Sequence, residues 1–211
     1  MRSDNTGVEN VDLEFLRDDT IKAAQALLGC EIITYTDGII TSGYITEVEA
    51  YLGLHDKAAH TYSGKKTKKN EMMFNEYGHI YVYIMHGHHC MNILTREKEH
   101  PEGVLIRGIE PVTNVDVMIE RRGRDTNFTD GPGKLTQALG VKVATHNGAP
   151  LNRGIVDLKP GRKPKNITAT KRIGIDNKEE AVDYLYRFIV TGNKNVSRFR
   201  GKALDDGGWL E

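Results

Sequence analysis

The sequence predicts a single α+β domain, and three observations support this fold class. Its 211 residues are enough for one domain with a sizeable core and too few for two large ones. Between residues 80 and 109, three strand-like runs follow one another with no room for the helices that connect parallel strands. Neither a repeat nor a linker divides the chain, so we expect residues 1–211 to form one domain, with loose tails at 1–12 and 199–211.

The first elements are expected to be a helix and a β-hairpin. Asp19 or Thr20 can cap a helix whose apolar residues share one face until Gly29 ends it. Residues 30–36 are typical of a strand, and the Asp37-Gly38 pair that follows is a strong signal for a hairpin turn. The chain should therefore return as a second strand, antiparallel to the first.

This second strand carries the residues with the clearest potential for chemistry. In the run ITEVEAYLG, strand alternation places Ile45, Glu47, Glu49 and Tyr51 on one face. Two carboxylates and a phenol therefore project from the same side, and His60 follows after a polar loop. These groups suit acid–base catalysis, although a solvated acidic face on a surface strand would give the same pattern.

The remaining elements follow from periodicity and turn signals. We expect strands at 80–85, 90–95, 104–109 and 184–191, and helices at 114–122 and 134–139. The three central strands should form an antiparallel meander. Residues 144–172 are rich in proline and glycine and show little periodicity, so no element is predicted there.

The charge of the chain indicates a partner only through its distribution. Lys+Arg and Asp+Glu both number 29, so the net charge is zero. The basic residues nevertheless cluster in three groups, which are Lys65, Lys66, Lys68 and Lys69; Arg121, Arg122 and Arg124; and Arg162, Lys163, Lys165, Lys171 and Arg172. They could form a basic face that binds a polyanion, or they could be three unrelated solvated loops.

Flat side chains are dense around Glu49 in the expected fold. They are Tyr51, His60, Tyr81, Tyr83 and His86. Such a set either packs in the core or stacks against a nucleic-acid base. Asn92 and Arg107 lie on neighbouring expected strands, where each would be costly without a polar partner, so at least one should meet a ligand or a carboxylate.

Two motifs suggest sites that their spacing does not support. His86, His88 and His89 resemble metal ligands, but strand alternation separates the last two, and no H-x-E or C-x-x-C accompanies them. We therefore expect no metal and no cofactor. The glycine turn at 131–133 before Lys134 lacks the spacing of a nucleotide phosphate loop, although its backbone amides could still hold a DNA phosphate.

Sequence features also favour an intracellular protein without a membrane partner. No apolar run approaches the ~20 residues of a membrane span, and the first twelve residues lack the apolar centre of a signal peptide. Cys30 and Cys90 form no C-x-x-C pair, and we interpret both as buried residues in a reducing compartment.

Seven ordered motifs give the chain a specific resemblance. They are ITEVEAYLG followed by DKAAH, IYVYIMHG, CMNI, VLIRGIEP, GPGKLTQALG, RIGID and RFIVTGN. With this spacing, the sequence from about Thr20 to Arg198 resembles the alkyladenine, or 3-methyladenine, DNA glycosylase family. The resemblance implies a mixed domain with a curved antiparallel sheet flanked by helices, and a monofunctional enzyme of base-excision repair.

The resemblance also implies roles for individual residues. It assigns Glu49 to activating water, and Arg107 and the backbone of Val190 to holding that water. Tyr51 and His60 would stack against the flipped base, with Tyr83 as the adjacent wall. Asn92 would reject guanine-type amino groups. His86 falls where the vertebrate family member inserts a tyrosine into the duplex. The stretch from His86 to Asn92 is one residue shorter here, which departs from the family pattern.

Together, these observations predict an enzyme that excises alkylated or deaminated purines from duplex DNA. The expected DNA contacts are His86, Lys65, Lys66, Lys68, Lys69, Gly133 and Lys134. We expect a monomer, located in the cytoplasm or nucleoid of a bacterium or otherwise in a nucleus. Two alternatives remain: an O-glycosidase that uses Glu47 with Glu49, and a nucleic-acid-binding module in which Glu49 merely pairs with Arg107.

Overall fold

The structure is a computed structural model that describes residues 9–211. Its strands are β1 (Glu31–Thr36), β2 (Ile39–Tyr51), β3 (Ile80–Met85), β4 (His88–Thr95), β5 (Glu102–Thr113), β6 (Val156–Lys159), β7 (Ile167–Thr170) and β8 (Arg187–Val190). Its α-helices are α1 (Thr20–Leu27), α2 (Val115–Arg122), α3 (Pro132–Leu139) and α4 (Val143–His146). Short 3₁₀ turns lie at Leu13–Leu16, Gly53–His55, Tyr62–Gly64, Glu71–Phe74 and Glu179–Asp183.

One antiparallel sheet of eight strands organises the domain. The main path runs β3-β4-β5-β2-β1-β6, and β8 joins β2 to β7. The sheet is open, with β3 and β6 at the two ends of the main path. The prediction of an α+β fold built on an antiparallel meander is confirmed, because β3, β4 and β5 are consecutive neighbours.

The expected first helix and hairpin are also confirmed. Asp19 caps α1 by accepting hydrogen bonds from the backbone N–H groups of Ile21 (2.9 Å) and Lys22 (3.0 Å). The Asp37-Gly38 turn has positive φ at both residues (55° and 80°), which matches the right-handed twist of β1 and β2.

Strand β2 is the central element, and its register is irregular next to β5. The pairing shifts on both sides of Glu47, so Thr46 on β2 and Arg107 on β5 each lack a direct partner in the ladder. The shift corrects the simple alternation expected from the sequence: Ile45 packs in the core with Val48 and Ala50, not on the face of the two glutamates. Irregularities of this kind re-aim side chains next to functional sites.

Three short elements lie in the region where periodicity predicted none. They are α4, β6 and β7, each four residues long. The two strands are held by distant partners, since β6 pairs with β1 and β7 with β8. Such pairing leaves little local signal in a four-residue segment.

The C-terminal segment packs against the domain, whereas the sequence predicted a loose tail. Trp209 is 2% exposed, belongs to the main core, and donates from its indole Nε1 to Glu110 Oε2 at 2.9 Å. Burying a large aromatic ring with its N–H satisfied accounts for this order. The expected N-terminal tail lies mostly outside the described residues.

Candidate active site

Glu49 is fully buried and is held by three donors. Its Oε2 accepts hydrogen bonds from the Tyr51 hydroxyl (2.9 Å) and from Arg107 Nη1 (3.3 Å), and its Oε1 accepts from the backbone N–H of Ile173 (2.7 Å). Burial raises the pKa of Glu49, and the charge of Arg107 and the two other hydrogen bonds oppose that rise only in part. The carboxylate is therefore a stronger base than an ordinary glutamate.

Its two side-chain donors are held in their hydrogen-donating forms. Burial and the adjacent Glu49 raise the pKa of Tyr51 well above its ordinary value, so its hydroxyl remains a donor. Burial opposes the charge of Arg107, but Glu49 and Glu47 outweigh it and raise the pKa of the guanidinium. The site therefore combines an electron-rich carboxylate with two groups that stabilise its anionic form.

Glu47 has a different set of partners from Glu49. Its Oε1 accepts from Arg107 Nε (3.0 Å) and Arg187 Nε (2.6 Å), and its Oε2 accepts from the backbone N–H of Ser197. All these groups are buried. Glu47 thus fixes Arg107 from behind and links β2 to β8 and the segment that follows it.

The three donors to Glu49 line a cavity of about 600 Å³. The buried residues that also line it include Leu105, Cys90, Asn92, Met73 and Ala58. Of the partners of Glu47, Arg107 lines this cavity, whereas Arg187 and Ser197 do not. The geometry therefore connects Glu49 to the cavity more directly than Glu47.

Aromatic rings form one wall of the cavity. The Tyr81 and Tyr83 rings stack with centroids 5.4 Å apart, and the His60 ring meets Tyr83 edge-on at 4.5 Å. The Tyr81 hydroxyl lies 3.3 Å from His60 Nδ1. Partial burial, helped by the charge of Lys178, lowers the pKa of His60 and favours the neutral imidazole. The sequence counted Tyr81 only among the nearby aromatics, and the structure shows that it supports His60.

Two site residues on the neighbouring strands lie where the sequence predicted. Asn92 on β4 is 5% exposed, lines the cavity, and donates from Nδ2 to the Tyr81 carbonyl at 3.3 Å. Arg107 forms ion pairs with both Glu47 and Glu49, which agrees with the expectation that a buried arginine needs a carboxylate partner. The structure therefore brings Glu49, Tyr51, His60, Tyr83, Asn92 and Arg107 together around one cavity.

Val190 is not part of this assembly. It is fully buried in the main core, and its carbonyl accepts a hydrogen bond from the backbone N–H of Asn193. The residue that pairs with Glu49 across β2 and β8 is Arg187, three positions before Val190. The backbone N–H that reaches Glu49 belongs to Ile173, to which sequence analysis assigned no role.

Ile173 is positioned by the buried residue that precedes it. Both terminal nitrogens of Arg172 donate to the Asp56 carboxylate, and the guanidinium also lies 4.7 Å from the Tyr51 ring centroid. Asp56 in turn accepts from the backbone N–H groups of Leu52 and Ala58, which orders the loop leading to His60. Arg172 and Ile173 belong to the RIGID motif, but the motif alone did not indicate that Arg172 pairs with Asp56 or that the Ile173 N–H reaches Glu49.

Three of the expected DNA contacts line the cavity. His86 and Gly87 form an exposed turn between β3 and β4 with positive φ at both positions, and His86 lines the cavity. Gly133 and Lys134, in the first turn of α3, line the same cavity. A Cβ at Gly133 would stand 2.6 Å from the Cβ of His88, so this glycine allows α3 to approach the hairpin.

The lysine loop lies beside the aromatic wall. Lys65, Lys66, Lys68 and Lys69 are all exposed. Asn70 Nδ2 joins the loop to the carbonyl of His60, and the Tyr81 hydroxyl donates to the carbonyl of Lys69. The structure therefore brings this group near the cavity without placing it in the lining.

Residues 9–211 lack two further features. No three His, Cys, Asp or Glu side chains converge in a way that could hold a metal ion within this part of the chain. None of the helices described is long and apolar enough to cross a membrane. The absence of a metal requirement stays a prediction.

Comparison with known proteins connects this site to a family. A model of the methylpurine-DNA glycosylase family matches residues 14–194. A Bacillus subtilis protein is 44% identical over 188 residues, covering 88% of this chain and 95% of the relative. Proteins from Clostridium acetobutylicum and Staphylococcus saprophyticus are each 42% identical. The first match covers 87% of this chain and 95% of the relative, and the second covers 89% of this chain and 94% of the relative. All three are provisionally named 3-methyladenine DNA glycosylases. The chain therefore belongs to the methylpurine-DNA glycosylase family and is a DNA N-glycosylase, a hydrolase of DNA repair.

Proposed function

We propose that the protein flips an alkylated or deaminated purine out of duplex DNA into the 600 Å³ cavity and hydrolyses its N-glycosidic bond with water activated by Glu49. One observation carries this proposal: the fully buried Glu49 is held by three groups, and all three belong to residues that line the cavity. A base in this cavity would bring its sugar to the mouth, within reach of an activated water.

The chemistry needs one carboxylate when the leaving base is cationic. Breaking the glycosidic bond develops positive charge on the sugar, and an anionic Glu49 both accepts a proton from water and stabilises that charge. An alkylated purine carries its positive charge before it leaves, so it needs no separate acid. Arg107 and the Ile173 N–H keep Glu49 oriented while it acts.

The contacts of Glu47 argue against the O-glycosidase alternative. That mechanism requires a second carboxyl group that donates a proton to the leaving oxygen. Glu47 instead accepts hydrogen bonds from two guanidinium groups and one backbone amide. Its position favours a structural role, in which it orients Arg107.

The binding-module alternative is compatible with one contact, the Glu49–Arg107 pair at 3.3 Å. It does not account for the other two donors to Glu49 or for the aromatic cavity beside them. A purely structural ion pair would gain nothing from an open cavity of about 600 Å³ at the same point.

Release of free base from defined duplexes tests the proposal directly. We expect the protein to release 3-methyladenine or 7-methylguanine from duplex DNA, with the abasic strand as the second product. A panel that includes hypoxanthine and ethenoadenine measures the range of lesions, and an undamaged duplex of the same sequence is the control. Failure to release any base from this panel would refute the proposed function.

The rate of base release should fall at acid pH, with a midpoint above the pKa of an ordinary glutamate. Because burial raises the pKa of Glu49 above 4.5, its reactive carboxylate form should be lost as the pH falls through that raised value. The measurement is kcat/KM against pH on 7-methylguanine, whose purine is cationic throughout the acid range. His60→Gln should retain this fall in rate, which separates Glu49 from the imidazole. A midpoint at or below 4.5 would contradict this assignment.

We propose that the lysine loop binds DNA phosphates. Lys66 lies 3.4 Å from Glu99, whereas Lys65, Lys68 and Lys69 make no ion pair within the described part of the chain. Changing all four to glutamine should flatten the plot of log affinity against log salt. Its slope should decrease in magnitude by up to about 0.9 for each phosphate that the protein no longer neutralises.

The matched control for this loop is the double variant Lys165→Gln/Lys171→Gln. Both lysines are already neutralised by Asp206 (2.6 Å) and Asp183 (2.7 Å), so their removal should leave the slope nearly unchanged. An equal change of slope in both variants would show that the effect is one of net charge and not of the loop.

The remaining roles are proposed on the same geometry. The exposed turn at His86 is suited to fill the space left by the base, and Asn92 lies where it can contact the purine edge. We further propose that the protein acts as a monomer on duplex DNA inside the cell, in the nucleoid if its source, like the relatives, is bacterial.

A further inference from the structure

The basic groups of the sequence differ in how far the protein neutralises them. Four cations of the group at 162–172 form ion pairs, which are Arg162–Glu110, Lys165–Asp206, Lys171–Asp183 and Arg172–Asp56. Arg122, at the end of α2, is different. It lines the cavity and forms no ion pair within residues 9–211.

The guanidinium of Arg122 is incompletely satisfied. Its Nη1 donates to the side-chain carbonyl of Gln137, but its Nε is buried and has no hydrogen-bond partner within the described residues. A buried donor without a partner is costly and uncommon in folded proteins. Burial and the nearby charge of Arg124 lower the pKa of Arg122, opposed only by Asp130, so positive charge is in surplus here.

A structural explanation accounts for only part of this arrangement. A cation in the last turn of a helix is stabilised by the helix dipole, and Arg121 and Arg122 both occupy that turn. Arg121 uses its guanidinium within the fold, donating to the Ala138 carbonyl at 3.1 Å and to Thr41. Arg122 instead lines the cavity, and its Nη2, which donates no hydrogen bond within residues 9–211, is available to a ligand.

The start of α3, which lines the same cavity, also favours an anion. The eight-residue helix α3 begins here, and its N-cap Gly131 provides no side-chain hydrogen bond to the helix amides. Gly133 and Lys134 line the cavity in the first turn of α3, and the Lys134 ammonium forms an ion pair with Asp130 at 2.9 Å. A guanidinium and helix N–H groups in the lining of one cavity are the donors that bind the oxygen atoms of a phosphate.

We propose that Arg122 is a positioning residue that binds a phosphate of the damaged strand next to the everted nucleotide, with α3 on the other side of that phosphate. The inference rests on the proposed function, because it takes the nucleotide to lie in the cavity. It assigns Arg122 to holding the strand and gives it no contact with the reacting atoms.

A chemical double-mutant cycle tests the contact without requiring base release. Affinities are measured for duplexes with a stable abasic-site analogue, in which single phosphates near the lesion are replaced in turn by a neutral methylphosphonate. Wild type and Arg122→Gln are compared, with Arg124→Gln as the control. Arg124 carries the same charge and is exposed outside the cavity lining.

We expect Arg122→Gln to weaken binding about tenfold and to reduce the salt slope by about 0.9. At one phosphate position, the methylphosphonate should lower the DNA affinity of wild type and of Arg124→Gln. The same replacement should leave the affinity of Arg122→Gln unchanged. Arg122→Lys should recover part of the affinity. On a cleavable lesion, the effect should fall mainly on KM and less on kcat.

Equal methylphosphonate penalties in wild type and Arg122→Gln at every position would overturn the inference. Equal thermal unfolding of the two proteins ensures that the comparison is made on folded protein. Failure of the proposed function would show itself separately, as an absence of base release by wild type. The phosphate cycle measures binding alone, so the two failures are distinguishable.

Discussion

Glu49→Gln should reduce the single-turnover rate of base release by about 10²–10⁴-fold, while binding to damaged DNA persists. Glutamine keeps the size of the side chain, and its carbonyl can still accept from Ile173 or from Tyr51. It lacks the basic oxygen that takes a proton from water in the proposed mechanism, and the negative charge that would stabilise the sugar. The measurement requires saturating enzyme, so that weak binding cannot imitate slow chemistry.

Glu47→Gln is the matched comparison, two residues along the same strand. This change weakens the contacts to Arg107 and Arg187 and should lower the stability of the protein, because both guanidinium groups are buried. Per folded molecule, its effect on the chemical step should be much smaller than that of Glu49→Gln. An equally slow chemical step in folded Glu47→Gln would show that the two carboxylates work as a pair. An active Glu49→Gln would refute the central assignment.

Arg172→Met should lower the free energy of unfolding by about 3–5 kcal/mol, as expected when one member of a buried ion pair is removed. Arg172 and Asp56 are 0% and 2% exposed, so methionine would leave the Asp56 carboxylate without its cationic partner. Two backbone carbonyls, those of Ala50 and Ala181, would also be deprived of a donor. Urea unfolding monitored by fluorescence measures the change.

The neighbouring residue provides the control for this prediction. Lys171 carries the same charge, but its ion pair with Asp183 is exposed on both sides (61% and 69%), so Lys171→Met should cost at most about 1 kcal/mol. The double variant Arg172→Met/Asp56→Leu should be more stable than Arg172→Met alone, because no buried charge is left unpaired. Similar costs for Arg172→Met and Lys171→Met would contradict the role given to the buried pair.

The sequence identified the site residues whose side-chain type and motif indicate a chemical role. Glu49, Tyr51 and His60 lie within one short segment, and the structure brings them to the same site. Ile173 was missed because it contributes a backbone N–H, a group that every residue except proline possesses. Val190 was assigned by position in the resemblance for the same kind of backbone role, and nothing in its side chain could test that assignment.

The separation of Glu47 from Glu49 depends on tertiary structure. In the sequence, both are acidic residues of one strand, and alternation makes them equivalent. Register shifts against β5 and the pairing of β2 with β8 give one of them two arginines and give the other a tyrosine, an arginine and a loop amide. Periodicity identified the strands, but it could not determine which strand would lie beside which carboxylate.

The donors to Glu49 come from widely separated parts of the chain, and this has a consequence for biosynthesis. Tyr51 is two residues away in sequence, Arg107 is 58 away, and Ile173 is 124 away. During translation, the carboxylate cannot acquire its last donor until residue 173 has been made. Contacts of such long range form late and slow the folding of a domain. A growing polypeptide therefore carries Glu49 through the synthesis of the next 124 residues without the complete set of donors that orients its carboxylate.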